Sequence, residues 1–462
     1  MGGYSGVKVA VIGMARTGMA VAEVMRSLGA SVKLYDRKLE ADLADVVDRA
    51  RALGVEVYAG TDFVDLADVD MLIPSPGVPR TAPVLEEAVR RGLEVISEIE
   101  LAYRIAKASI IAITGTNGKT TTTVLTARML AADGRNVWLA GNVAGADADK
   151  PVPLVSAAVR AGSNDVIVAE VSTFQLEWVK SFRPKIAALL NVTNDHLDRH
   201  ASIEEYAALK ARIFENQRED DFAIINAENS ITAALAPKLK GRVLQFARLF
   251  RVEEGGFVRG DELIVRLNGI DHKICDRSDI RLRGEHNIEN ILAAACAALA
   301  FGAKPESVRD AIREFTGVEH RLEEVAVING VRYINNSMCT NVNAAVRSIE
   351  AIDEPQIVIA GGKDKGADYT PLGEALKRKA KHVILIGADA HLIEDAARRA
   401  GFSALTRVDS MRDAVEKARR LASPGDVVVL NPGCSSFDMF ESFEHRGRVF
   451  KEIVREFERE GS

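Results

Sequence analysis

"SIIAITGTNGKTTTTVLTARMLAADG", residues 109–134, is the stretch that decides the class of this chain. Its opening residues Ile110–Ile113 are apolar without polar alternation, as expected of a strand covered on both faces. Gly115 and Gly118 break that run, and the Thr-, Leu- and Ala-rich segment after Lys119 reads as a helix. A buried strand passing through a glycine loop into a helix begins a βαβ unit. The same alternation recurs along the chain, with strands predicted at 7–13, 31–36, 69–75, 165–172, 185–193, 222–227, 356–362, 382–387 and 426–433. An α/β fold with mainly parallel sheets follows.

Three blocks divide the 462 residues. Residues 1–107 form a first sheet closed by the helix-like "EIELAYRIAK" (98–107), and residues 108–317 form a central block with a less regular strand-and-turn region at 241–283. Residues 318–462 open on a fresh β-pattern, "EEVAVINGVRYINNS" (323–337), and continue as a third α/β unit. With 47% hydrophobic and 27% charged residues, the composition is that of a soluble globular protein. The net charge of −6 disfavours a nucleic-acid binder, and no apolar run is long enough to span a membrane. Cysteines at 275, 296, 339 and 434 form no CxxC pair, which argues against a disulfide scaffold and a structural zinc site. "MGGYSG" carries no apolar signal segment, so a cytoplasmic location is expected.

The glycines of "TGTNGKT" (114–120) free the backbone to turn its N–H groups toward phosphate oxygens. Lys119 supplies a mobile cation, and Thr120 offers a hydroxyl to Mg²⁺. The usual phosphate-loop spacing would place glycine at 113, where this chain has Ile113, so the loop is a variant. A bare glycine turn needs neither the lysine nor the hydroxyl, and ATP binding is therefore expected. Downstream, Glu170 ends one strand, and Asp195 and His196 follow another. Ligands of open parallel sheets gather at such carboxyl ends. Singly, Glu170 could cap the next helix and His196 could be a solvated loop residue; jointly with the phosphate loop they point to a Mg²⁺ site.

A second signature lies in "VAVIGMARTG" (9–18), where Gly13 follows a strand and precedes a helix-like stretch, Gly18 sits five residues on and Asp36 ends the next strand. Ala15 replaces the middle glycine of the dinucleotide fingerprint. A tight strand-to-helix turn explains this loop as well as a ligand does. If it binds anything, a nucleotide diphosphate is favoured and NAD is not implied. On this loop alone a nicotinamide-dependent dehydrogenase is the competing enzyme class.

Seven further motifs occur in order: "TGTNGKTTT" (114–122), "EVSTFQLE" (170–177), "NVTNDHLDRH" (191–200), "YAALKARIFE" (206–215), "GEHNIENILAA" (284–294), "EHRLE" (319–323) and "NPGCSSFDMFESFEHRG" (431–447). Together they resemble the Mur ligases of peptidoglycan synthesis over essentially the whole chain. The last motif, with "GMARTG" (13–18) and "PSPGV" (74–78), is most similar to the D-glutamate-adding branch of that family.

The resemblance implies a Rossmann-like UDP-sugar-binding domain (1–107), a central ATPase domain (108–317) and a Rossmann-like amino-acid-binding domain (318–462) that closes over the site. It implies a ligase that joins D-glutamate to UDP-N-acetylmuramoyl-L-alanine through an acyl phosphate. Both are small-molecule partners, and a monomer is implied. Gly115, Thr116, Asn117, Gly118, Lys119, Thr120, Thr121, Asn287, Asn290 and Arg321 would hold ATP. Thr120, Glu170, His196 and Lys210 would hold Mg²⁺ at two sites, with Lys210 carbamylated into an anionic ligand; without the resemblance Lys210 reads as an ordinary helix-face lysine. Lys119, Glu170, His196 and Lys210 are the implied catalytic residues. Thr17, Asp36, Arg37, Gly77, Asn142 and His196 would contact the nucleotide sugar, and Thr340, Lys365, Ser436 and Phe443 the glutamate.

One stretch departs from the pattern. The branch carries "NDSKATN" where this chain reads "NNSMCTN" (335–341), so Asn336 replaces an aspartate and Met338 a lysine. A lost lysine beside a transferring phosphoryl group costs about 3 kcal/mol of transition-state stabilisation unless other groups compensate. The departures leave two further readings open. One is a ligase for another amino acid such as L-glutamate; the other is an ATP-binding regulatory scaffold.

Overall fold

The computed structural model describes residues 3–143, 151–193, 202–282, 284–364 and 366–460. The chain forms two compact units that meet in sequence between Phe315 and Thr316.

The first unit holds two sheets. The smaller is five-stranded and all parallel, in the spatial order Glu56–Ala59, Ser31–Asp36, Lys8–Ile12, Met71–Pro74, Glu94–Val95. The chain builds outward on one side of Lys8–Ile12, then returns to its other side with Met71–Pro74. The loop after Lys8–Ile12 therefore sits at the switch point where such sheets open a crevice.

The larger sheet has nine strands, and Ser109–Thr114 lies between Val166–Glu170 and Ile186–Leu189. The apolar runs read in the sequence are the inner strands: Ile110–Ile113, Val166–Glu170 and Ile186–Leu189 are buried throughout. Region 241–283, expected to be less regular, holds four strands: Arg242–Ala247, Gly255–Arg259, Glu262–Leu267 and Ile270–Asp276. The first two continue the parallel sheet and the last two add antiparallel to its edge. Asn268 (φ 55°) and Gly269 (φ 74°) make the two-residue turn of the final hairpin, a pairing suited to the twist of antiparallel strands.

The second unit is a six-stranded sheet in the order Glu323–Ile328, Val331–Asn335, Val427–Leu430, Gln356–Gly361, Ala380–Ile386, Leu405–Arg407. The first pair is an antiparallel hairpin turned by Asn329 and Gly330, and the other pairings are parallel. Helices cover both faces, giving one core around Val342, Leu372 and Ile393 and another around Val415, Phe450 and Val454. In each sheet the glycine- and polar-rich loops flagged in the sequence leave the carboxyl ends of parallel strands. Among the described residues no helix is long and apolar enough to cross a membrane.

Candidate functional site

The strand Ser109–Thr114 delivers the loop 115–118 to the helix Lys119–Ala132. Gly118 caps that helix in the left-handed region (φ 81°), and a Cβ there would come 2.1 Å from Asn290 Oδ1. Both the backbone conformation and the neighbour exclude a side chain at this position. The loop is fastened to the end of the adjacent strand. Thr116 N–H donates to the Asn191 carbonyl (2.9 Å), Asn117 N–H to Asn191 Oδ1 (2.8 Å), and Thr193 N–H to Thr116 Oγ1 (3.1 Å). Lys119 Nζ donates to the Thr116 carbonyl at 3.0 Å, so its charge lies at the loop itself. Asn290 stands on the helix Glu285–Ala300, receives Thr122 Oγ1–H at 3.4 Å and donates to Asn287 Oδ1 at 3.0 Å. Thr121, half-buried, occupies the first turn.

The carboxylate at the neighbouring strand end meets this helix. Thr120 Oγ1 donates to Glu170 Oε2 at 2.7 Å, and both residues are buried. Glu170 does not cap the next helix. Ser172 does, accepting from Gln175 N–H while Gln175 Oε1 accepts from Ser172 N–H. The carboxylate is thus bonded to the helix that follows the glycine loop. Thr120 and Glu170 offer hard oxygen ligands side by side, which fits Mg²⁺. Asn142, exposed, donates its backbone N–H to the Glu170 carbonyl at 2.9 Å and so lies against the same strand end.

Lys210 is not a surface lysine. Only 2% exposed, it donates to the Gly115 carbonyl at 2.9 Å, with its ammonium 4.3 Å from the centre of the Tyr206 ring. The structure brings Gly115–Thr121, Glu170, Asn142, Lys210, Asn287 and Asn290 to one end of the large sheet. Asp195 and His196 lie outside the described residues, as does Lys365.

The first loop is built differently. Gly13 (φ 98°) donates to the Tyr35 carbonyl at 2.7 Å, and a Cβ on Gly18 would lie 1.8 Å from the Gly13 carbonyl oxygen. Asp36 accepts Met14 N–H on Oδ2 (2.7 Å) and Lys38 N–H on Oδ1 (3.0 Å), so it holds the loop in shape. Thr17 lies in the first turn of the helix Arg16–Ser27, Arg37 pairs with Asp62, and Gly77 is exposed on the loop after Met71–Pro74. All four positions end or follow the carboxyl ends of three neighbouring parallel strands of the small sheet.

Two buried glutamates brace this unit from the helix Glu98–Ile105. Glu98 accepts Val155 N–H at 2.6 Å, and burial pushes its carboxyl up to about 7 against the hydrogen bonds from Val155, Gln175 and Leu154. Glu100 is as deeply buried, and burial pushes it upward too. The Ser181 hydroxyl, Lys180 N–H and Arg104 outweigh that push and hold it below the usual carboxylate range.

In the second unit, Arg321 is flanked by two residues in the left-handed region, His320 (φ 63°) and Leu322 (φ 43°). Non-glycine residues rarely adopt this conformation. His320 is fully buried, with Nδ1 2.9 Å from Asn335 Nδ2 and its carbonyl accepting Met338 N–H. Thr340 lies in the loop before the helix Val342–Glu350, and buried Ser436 in the loop after Val427–Leu430. Phe443 opens the helix Phe443–Glu460 and accepts Ser337 Oγ–H on its carbonyl at 2.7 Å.

Arg446 ties these loops together, with no carboxylate in hydrogen-bond contact among the described residues. It donates to Ser337 Oγ and to the carbonyls of Ser337, Cys434 and Ser435. Burial pushes its guanidinium down to about 10. Its place in "EHRG" marked the motif, but nothing in sequence marks a buried arginine. Asn191 likewise sits inside a quoted motif, and its role as the loop's fastener emerges only from strand adjacency.

Family models match along most of the chain. The Mur ligase MurD-like N-terminal domain matches residues 7–97, the Mur ligase middle domain residues 113–298, and the Mur ligase glutamate ligase domain residues 320–434. A protein of Pelotomaculum thermopropionicum named UDP-N-acetylmuramoylalanine–D-glutamate ligase is 45% identical, covering 97% of both chains. Its namesake in Koribacter versatilis is 43% identical, again over 97% of each. Among solved structures, the UDP-N-acetylmuramate–alanine ligase of Thermotoga maritima shares the fold with a TM-score of 0.58 at 20% identity, over 97% of this chain and 99% of its own.

Proposed function

This chain belongs to the Mur ligase family, and from that premise we propose that residues 1–107 hold a UDP-sugar, 108–317 hold ATP and 318–462 hold the incoming amino acid. It is an ATP- and Mg²⁺-dependent ligase of peptidoglycan precursor synthesis that adds D-glutamate to UDP-N-acetylmuramoyl-L-alanine. Full-length identity with D-glutamate ligases is the observation that carries this reading. The substrates are small molecules; the working form is a cytoplasmic monomer.

The reaction joins two carboxylate-bearing molecules at the expense of ATP. The alanyl carboxylate attacks the γ-phosphate to give an acyl phosphate, and the glutamate amine then displaces phosphate through a tetrahedral intermediate. The first step brings anion to anion, so the site must neutralise charge. Backbone N–H groups at the start of the helix Lys119–Ala132 receive the phosphates, those of Thr116 and Asn117 being held by Asn191, and Lys119 adds a mobile cation. Thr120 and Glu170 would hold Mg²⁺, which when bound neutralises charge on the transferring phosphoryl group. Asn287, Asn290 and Arg321 would contact ATP. His196 and Lys210 would serve a second Mg²⁺.

As an ammonium, Lys210 opposes a metal; as a carbamate it becomes an anionic ligand. Its burial beside the loop carbonyl of Gly115 supports that modification. Protein incubated with isotope-labelled bicarbonate should show a carbamate carbon that Lys210→Ala lacks, and an unchanged spectrum would remove the second metal ligand. Thr17, Asp36, Arg37 and Gly77 of the nucleotide-sugar domain line the UDP site, and Asn142 and His196 of the central domain stand near the acyl group. Thr340, Lys365, Ser436 and Phe443 grip the glutamate.

The departures at Asn336 and Met338 favour testing the amino acid directly. Phosphate release from ATP, Mg²⁺ and UDP-N-acetylmuramoyl-L-alanine should require D-glutamate, with L-glutamate inactive. Turnover with L-glutamate alone would replace the substrate, and no phosphate release with either would leave a regulatory scaffold.

A further inference from the structure

Asn336, which breaks the family pattern, is 4% exposed and uses its whole side-chain amide. Its Nδ2 donates to Ser348 Oγ (2.8 Å) and Asn431 Oδ1 (2.9 Å), and its Oδ1 accepts Leu322 N–H (3.1 Å). Asn431, 1% exposed, donates its own Nδ2 to the Ala345 carbonyl at 3.0 Å.

Two backbone groups fix both amides. A carbonyl at Ala345 can only receive, so Asn431 must turn Nδ2 to it and Oδ1 toward position 336. An N–H at Leu322 can only donate, so Asn336 must turn Oδ1 to it and Nδ2 toward Asn431. An aspartate at 336 would place a carboxylate oxygen against Asn431 Oδ1, acceptor facing acceptor. Flipping Asn431 only moves the conflict to the Ala345 carbonyl. Residue 431 therefore dictates an amide at 336.

The pair spans the loops that matter. Leu322 is in the left-handed region, and its N–H bond to Asn336 Oδ1 stabilises the strained turn that carries Arg321. On the other side Asn431 opens the segment leading to Ser436, while Cys339, one residue before Thr340, donates its N–H to the Asn336 carbonyl and accepts Gly433 N–H.

We propose that Asn431 is a positioning residue of this ligase. Paired with Asn336, it replaces the family's carboxylate with a neutral amide clamp that sets Arg321 against the loops bearing Thr340 and Ser436. This rests on the proposed roles of those three residues in ATP and glutamate binding. The clamp acts through the backbone it holds.

The full chain carrying N336D, N431S and both together tests it. N336D alone should raise KM for ATP and D-glutamate about tenfold, because a buried acceptor is set against another acceptor. KM for UDP-N-acetylmuramoyl-L-alanine should not change, and kcat should fall less than either KM rises. The serine hydroxyl at 431 can rotate to donate, so N336D/N431S should recover most of the lost affinity and melting temperature. N336D failing to fold while the double variant folds would show the same coupling. A double variant as impaired as N336D, or an N336D enzyme with unchanged constants, would overturn the clamp. Were the unaltered chain to show no D-glutamate-dependent turnover, the reaction would be misassigned, and the melting temperatures of the four proteins would still decide whether the two amides are coupled.

Discussion

The two glycine loops of the first unit start alike and end differently. Each leaves the carboxyl end of a buried parallel strand and enters a helix, and each has a glycine with positive φ at the turn. Beside Gly13, Asp36 accepts the loop's own Met14 N–H. Beside Gly118, Glu170 accepts a side-chain hydroxyl from the helix, while Lys119 and Lys210 donate to loop carbonyls. One loop is a shaped surface held by its acid; the other gathers side chains that can neutralise and move charge. On the proposed function, backbone glycines make a nucleotide seat in both loops, and side chains on the first helical turn make one of them reactive.

That contrast can be broken at either loop. Lys119→Ala should lower kcat about a thousandfold, the size expected for one lost donor to a transferring phosphoryl group, measured as phosphate release at saturating substrates. A loss under tenfold would make the second loop no more reactive than the first. The brace between the two sheets comes next. Glu98 titrates near 7 when folded and near 4.5 as an ordinary carboxyl, so between those values the folded chain keeps a proton that the unfolded chain releases. Stability should therefore fall by about 3 kcal/mol as pH rises from 4.5 to 7 and then level off. Urea unfolding of the wild type against Glu98→Gln across that window should show the variant lacking the decline. Parallel curves would mean that Glu98 is hydrated. Glu100, held low, works with the opposite sign and adds stability that is lost in acid. The smallest effect belongs to the first loop. Asp36→Ala frees Met14 N–H and should raise KM for the UDP-sugar about tenfold, as expected of one lost charge-assisted hydrogen bond, with KM for ATP unchanged. Equal changes in both constants would dissolve the distinction.

Much of this was legible in the sequence because parallel strands buried on both faces are written as unbroken apolar runs. Ser31–Asp36 and Ser109–Thr114 emerge within a residue of the expected limits. Edge strands such as Glu56–Ala59 and Leu405–Arg407 are short and partly exposed, so they leave no such run. The reading of Lys119, Thr120 and Glu170 followed from the loop and strand end that carry them, and the structure brings the three together. Lys210 was readable only through the family resemblance, since burial of a helical lysine depends on what packs over it. Asn431 and Arg446 act through loops far apart in sequence, and no local pattern announces such pairs. Asn336 looked like a defect in a motif; its three hydrogen bonds make it one half of a fitted pair.

Calorimetry on the Lys119→Ala protein tests the separation of the two loops most directly, with UDP-N-acetylmuramoyl-L-alanine and Mg²⁺–ATP titrated separately. The ATP signal should vanish or weaken by at least about tenfold while the UDP-sugar binds as it does to the unaltered chain. Undiminished ATP binding, or loss of both ligands together, would contradict the assignment of one nucleotide to each loop.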